Sequence, residues 1–200
     1  MVEQEEKISC IFPHSDMEFG VTNGDDWTKE YEVSFNRSAL RGYLSDILPK
    51  RSHPYYYGIH YEMTEENKDK VETTWKNHGM LFPIPNHKLT KDSRVYFFYK
   101  WEIVGDALVD KIIYNEHNSE FSQEWDPKVY PIIVKFQKDS IRIFPHDSIS
   151  KEVMEKVLTE KTMKTLPMGY PILTNEEEKN LQDEIVKAVR NYSSKFIYTP

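Results

Sequence analysis

The stretch 94–113, RVYFFYKWEIVGDALVDKII, constrains the fold more than any other part of the chain. Two runs rich in aromatic and β-branched residues are joined by a tight connection around Trp101 and Glu102. Such residues suit a pleated, half-buried surface, and so short a connection makes the two runs neighbouring antiparallel strands. The fold is therefore built around a hairpin whose faces the rest of the chain must cover.

Strand signals recur on both sides of it. YYYGIHY, following Pro54, is a Tyr-rich strand, and YPIIVKFQ is a later one that turns at Lys138-Asp139 into the short strand SIRIF. Helices alternate with these strands. Thr64 opens one, with Glu65 and Glu66 in its first turn, where negative charge suits the positive end of the macrodipole. Ser150 to Leu166 is a second, with Val153, Val157 and Leu158 on one face. The third starts at a capping box of Thr174 and Glu177 and puts Leu181, Ile185, Ala188 and Val189 on one face.

Residues 1–53 stand apart and are expected to form an N-terminal appendage packing on a main domain of 54–190, with 191–200 a tail or linker. The appendage contains two short apolar runs, Ile8 to Phe12 and Tyr31 to Phe35, and a helix over Ser38 to Leu48 stopped by Pro49. One core of ordinary size is what 200 residues with 38% hydrophobic content support. The aromatic share of 14% is high, so some rings are expected to line a surface cleft rather than the core.

Net charge is -7, which argues against nucleic-acid binding by bulk electrostatics. Charge is unevenly spread, however. The segment 86–100 carries Lys88, Lys91, Arg94 and Lys100 against Asp92 alone. A lone cysteine, Cys10, excludes an internal disulfide and fits a cytoplasmic setting, and its neighbours Ile11 and Phe12 place it in a core. The acidic N-terminus leads into no long apolar stretch, so no signal peptide or membrane span is expected.

Catalytic signatures are missing. Seven glycines form no phosphate-cradling loop, and His53 and His60 are seven apart in a strand-forming region, the wrong spacing for zinc. Glu65-Glu66 and Glu176-Glu177-Glu178 sit where helix starts favour acids. No cofactor or metal is expected.

The segments YYYGIHYEMTEENKDKV, LFPIP, DSRVYFFYK, EIVGDALVDKIIY, YPIIVKF and MKTLPMGYPILTNEEEKNLQDEI, in that order, resemble those of EVE domains across about residues 54–190. Ile103-Val104-Gly105 and Tyr130-Pro131-Ile132-Ile133-Val134-Lys135 carry the resemblance most strongly. It implies an α+β fold of the PUA-like class, EVE-like or YTH-like: a twisted, barrel-like sheet flanked by helices. It also implies a function, holding one modified base in an aromatic pocket. One departure is plain: where such domains place a tryptophan before Gly-x-Pro, this chain has Phe82-Pro83-Ile84-Pro85.

By that resemblance Phe82 and Trp101 form two walls of the pocket, Trp125 or Phe121 closes it from the long loop 114–128, and His60, Tyr61 and Glu62 meet the base edge. Lys88, Lys91, Arg94, Lys100 and Lys135 then contact flanking phosphates, which position a reader while the pocket specifies. Modified DNA is the expected partner ahead of RNA, and related domains serve as recognition domains of McrBC-type modification-dependent restriction systems, so further domains or subunits of a restriction complex are expected too. Two other readings compete: a metal-dependent nuclease on a related fold, using Glu66 and Lys68, and a protein-interaction module whose exposed aromatics meet a partner.

Overall fold

The computed structural model describes residues 7–13, 56–59, 89–99, 101–115, 127, 130–144, 147–166 and 169–196. They form a mixed α+β fold. Its strands are β1 (Ser9–Pro13), β2 (Tyr56–Ile59), β3 (Arg94–Tyr99), β4 (Glu102–Tyr114), β5 (Ile132–Phe136) and β6 (Arg142–Ile143). Three helices follow them, α1 (Lys151–Val157), α2 (Glu160–Thr165) and α3 (Asn175–Phe196). No helix among the described residues is long and apolar enough to cross a membrane.

The sheet runs β1-β3-β4-β5-β2, with β6 also on β4. The expected hairpin is there: β3 and β4 pair antiparallel, with Tyr99 opposite Glu102. Ile103-Val104-Gly105 has a job in this geometry. Phe97 faces Gly105 while Phe98 faces Ile103, so Val104 is an extra residue, a β-bulge. A second irregularity leaves Asp110 unmatched between Val109, opposite Phe136, and Lys111, opposite Lys135. Bulges bend a strand and sharpen its twist, and β4 carries two of them.

The bending has a visible result. In a flat sheet, β1 and β5 would stand three strand spacings apart, about 14 Å. Instead the rings of Phe12 on β1 and Phe136 on β5 meet edge-on at 6.4 Å between centroids, and Phe97 on β3 meets Phe136 at 5.3 Å. The sheet is curled, and these rings lie inside the curl with Cys10, Val95, Val134 and Tyr170. Its other face packs Ile11, Tyr96, Phe98 and Ile103 against Met154, Leu158, Leu181 and Ile185 of the helical layer.

β5 and β6 lie along the same edge of β4, interrupted by a 3-10 turn at Lys138–Ser140. The interruption leaves the backbone of Leu108 satisfied: its N–H donates to Ser140 Oγ at 2.8 Å and its carbonyl accepts from Gln137 N at 2.9 Å. The strand expected over SIRIF is thereby reduced to two residues.

Two sequence expectations need correcting. Residues 9–13 belong to the sheet itself rather than to an appendage, because β1 pairs parallel with β3, from Ser9 opposite Arg94 to Pro13 opposite Phe98. Its other edge is covered by the segment after α2, through Ile11 N to Pro171 O (3.0 Å) and Leu173 N to Ser9 O (2.8 Å). Sheet edges left open invite pairing with other chains, and this one is closed. The strand expected at Tyr31 to Phe35 and the helices expected at Ser38 to Leu48 and after Thr64 lie outside the described residues.

The helix expected over Ser150 to Leu166 is two helices, α1 and α2. Leu158 is extended (φ -103°, ψ 147°) and Thr159 caps α2, its side chain accepting from Thr162 N. Glu177, at the start of α3, stabilises the break by accepting from both the backbone N–H (2.8 Å) and the hydroxyl (2.9 Å) of Thr159. Its other oxygen closes the expected capping box with Thr174, whose N–H donates at 2.8 Å. One carboxylate thus serves two helix starts. Along α3, Leu181 and Ile185 are buried as expected, but Val189 is 45% exposed.

Candidate nucleic-acid interface

Trp101 occupies the turn between β3 and β4, with φ at 64°. In the left-handed region a Cβ crowds the backbone, at a cost of about 1–2 kcal/mol that glycine avoids. A bulky residue there is an outlier that calls for a reason. The residue is also 42% exposed, although Trp has more to gain from burial than almost any side chain.

The ring is held from two sides. Phe98 meets it edge-on at 5.8 Å, and the Lys151 ammonium lies 5.0 Å from its centroid. Lys151 opens α1, and the segment leading into α1 is fastened to the start of β4. Buried Glu102 accepts the N–H of Asp147 at 2.7 Å, Asp147 itself has φ at 58°, and Ile103 N donates to Ile149 O at 3.1 Å. Trp101 and Lys151 therefore stand on joined elements: an aromatic surface with a cation over its ring. Nothing in the sequence singled out Lys151, since its approach to the indole depends on a contact between segments fifty residues apart.

The other expected residues that are described lie elsewhere. Lys91, exposed, and Arg94 stand at the beginning of β3, whereas Trp101 follows its end. Seven residues of extended chain span about 23 Å, so these side chains do not converge on Trp101. Arg94 donates through Nη1 to Asp106 at 2.7 Å. Lys135, on β5, pairs with Asp110 at 3.0 Å, next to the second irregularity of β4. His60, Tyr61, Glu62, Phe82, Phe121, Trp125, Lys88 and Lys100 lie outside the described residues, as do Glu66 and Lys68 of the competing nuclease reading.

A polar network not foreseen from the sequence links sheet and helix. Asp106, fully buried on β4, accepts from Arg94 and from Arg142 Nε (2.8 Å) and Nη2; Arg142 Nη2 also donates to Gln182 Oε1 at 3.1 Å, and Gln182 donates to the Tyr96 hydroxyl. Burial pushes the Tyr96 phenol well above its ordinary range, so it stays a neutral hydroxyl. A charged residue at an inward position of an apolar strand was the one available signal.

Among the described residues no group of three or more His, Cys, Asp or Glu is assembled to hold a metal ion. Comparison of the chain with protein-family models, with curated proteins and with solved structures finds no match.

Proposed function

We propose that this chain is a non-catalytic nucleic-acid-binding domain of the PUA-like class, EVE-like or YTH-like, that reads a modified, methylated base lifted out of its stack. The observation that carries the reading is Trp101: a tryptophan held half in solvent on a strained turn, with a lysine at its ring. The curled sheet with helices on one face supports the fold part of the reading.

The energetics agree in size. Extruding a base costs a few kcal/mol, and stacking on an aromatic side chain returns about 1–3 kcal/mol per base. Burying one methyl group adds roughly 0.8 kcal/mol, so the expected preference for a methylated base is modest. DNA is the favoured target, and the domain is proposed to work in the cytoplasm within a modification-dependent restriction complex.

The test is a titration against matched single- and double-stranded oligonucleotides carrying methyladenine, methylcytosine or hydroxymethylcytosine. The chain should prefer one modified form, and Trp101→Ala should abolish the preference. Unchanged discrimination in that variant would remove Trp101 from the site and the reading with it.

A second reading, a protein-interaction module, draws support from Val186 and Val189, exposed on α3. Ionic strength separates the two. Nucleic-acid affinity falls steeply with salt, whereas an apolar protein interface does not respond in that way.

A further inference from the structure

Asp106 is fully buried and meets two guanidinium groups. One would be enough. Arg142 grips the carboxylate with two nitrogens, Nε on Oδ1 and Nη2 on Oδ2, the fork geometry that suits a carboxylate best. Arg94 adds a second positive charge through a single contact, Nη1 on Oδ2. The cluster of Asp106, Arg94 and Arg142 is therefore left one charge positive.

Its donors are also in excess. A guanidinium carries five N–H groups. Arg94 uses one, and among the described residues none accepts from the others, although its side chain is only 25% exposed. Arg142, 43% exposed, uses Nε and Nη2 on Asp106 and Gln182, and no described residue accepts from its Nη1. Donors that no described residue accepts from are left to water or to a further acceptor. Both groups are held by Asp106, Arg142 also by Gln182 and the Phe144 ring 5.8 Å away.

We propose that Arg94 and Arg142 form a binding site for a phosphate group, seated on their outward N–H groups with Asp106 as the fixed anchor beneath. Phosphate has several oxygens to meet the remaining N–H groups of Arg94 and the Nη1 of Arg142 at once, which a single carboxylate cannot do as well. Lys91, exposed at the same end of β3, adds to the attraction. The site goes beyond the base-reading proposal and stands without it, since Trp101 lies at the far end of β3. The phosphate can be free or part of a nucleic-acid backbone.

The experiment follows the side-chain N–H signals of the arginines by NMR in the full chain, titrated separately with inorganic phosphate and with a short unmodified oligonucleotide. Arg94→Gln leaves Asp106 in the grip of Arg142, so the fold should persist. Saturable shifts in the wild type, weakened about tenfold in Arg94→Gln, are expected. Saturation by phosphate alone would identify a free phosphate, and saturation by the oligonucleotide a phosphodiester. No saturable shift with either probe, or equal affinity in Arg94→Gln, overturns the proposal. Arg94→Gln should weaken modified and unmodified oligonucleotides alike, so a failure of base discrimination leaves this site standing.

Discussion

The ammonium of Lys151 lies 5.0 Å from the centre of the Trp101 ring, and the backbone beneath that ring is left-handed. Contact and strain act in opposite directions. A cation over an exposed ring contributes about 0.5–1 kcal/mol, while a Cβ in the left-handed region costs about 1–2 kcal/mol. Substitution separates them. Trp101→Ala loses the ring but keeps the Cβ, and Trp101→Gly loses both. The glycine variant should be more stable than the alanine variant by about 1 kcal/mol in urea unfolding. Equal stability would mean that this turn stores no strain.

Glu177 links stability to pH. Burial works to raise its pKa, but hydrogen bonds from the Thr162 side chain, the Thr174 and Thr159 N–H groups and the Thr159 hydroxyl outweigh it and hold the carboxyl below its ordinary value. A carboxyl depressed in the folded state stabilises the fold fully above its unfolded pKa, and that contribution is lost as pH falls through the folded one. Glu177→Gln should therefore destabilise the chain by about 1–3 kcal/mol at pH 7. The gap between variant and wild type should narrow on acidification below about pH 4.3. Urea midpoints of both proteins at neutral and acid pH check this, and a gap independent of pH would contradict it.

How far the sequence could be read follows the distance over which each feature is decided. The β3–β4 hairpin and the Thr174–Glu177 box rest on residues adjacent or three apart, and both were legible. The break between α1 and α2 was not. Val153, Val157 and Leu158 keep a helical rhythm right up to it, and the acceptor that favours Thr159 as a cap, Glu177, is eighteen residues away. The parallel pairing of β1 with β3 joins segments more than eighty residues apart and has no local signature. At the candidate site, Trp101 was visible as a turn aromatic, but its left-handed backbone and its partner Lys151 belong to tertiary packing.

Asp106 should be the most sensitive polar position in the sheet. Removing one partner from a buried ion pair strands the other, at about 3–5 kcal/mol. Asp106→Asn keeps the shape yet leaves Arg94 and Arg142 facing each other without the anion between them. The loss should fall near the lower end, about 3 kcal/mol, because both guanidiniums retain some solvent contact. Amide exchange in α3 should accelerate as well, since Gln182 is tied to the sheet through Arg142 and Tyr96. Thermal or urea unfolding together with exchange measures both, and a loss under about 1 kcal/mol would mean that the network does not hold sheet and helix together.

Cys10 reports on whether the N-terminal strand is part of the core. Its side chain is fully buried, and burial pushes the thiol far above its ordinary pKa, so the reactive thiolate is scarce and inaccessible. A reagent reaches the sulfur only when β1 separates from β3 on one edge and from the 171–173 segment on the other. That separation uncovers Phe12, packed against Phe136 and Tyr170, and removing one such ring alone costs about 3–5 kcal/mol. Opening should therefore coincide with global unfolding. Alkylation in native buffer is expected to be at least about a thousandfold slower than in denaturant. Deleting residues 1–13 should likewise abolish cooperative unfolding of the remainder. Rapid native labelling, or a truncated chain that still melts sharply, would mean that β1 only packs on the main domain as an appendage.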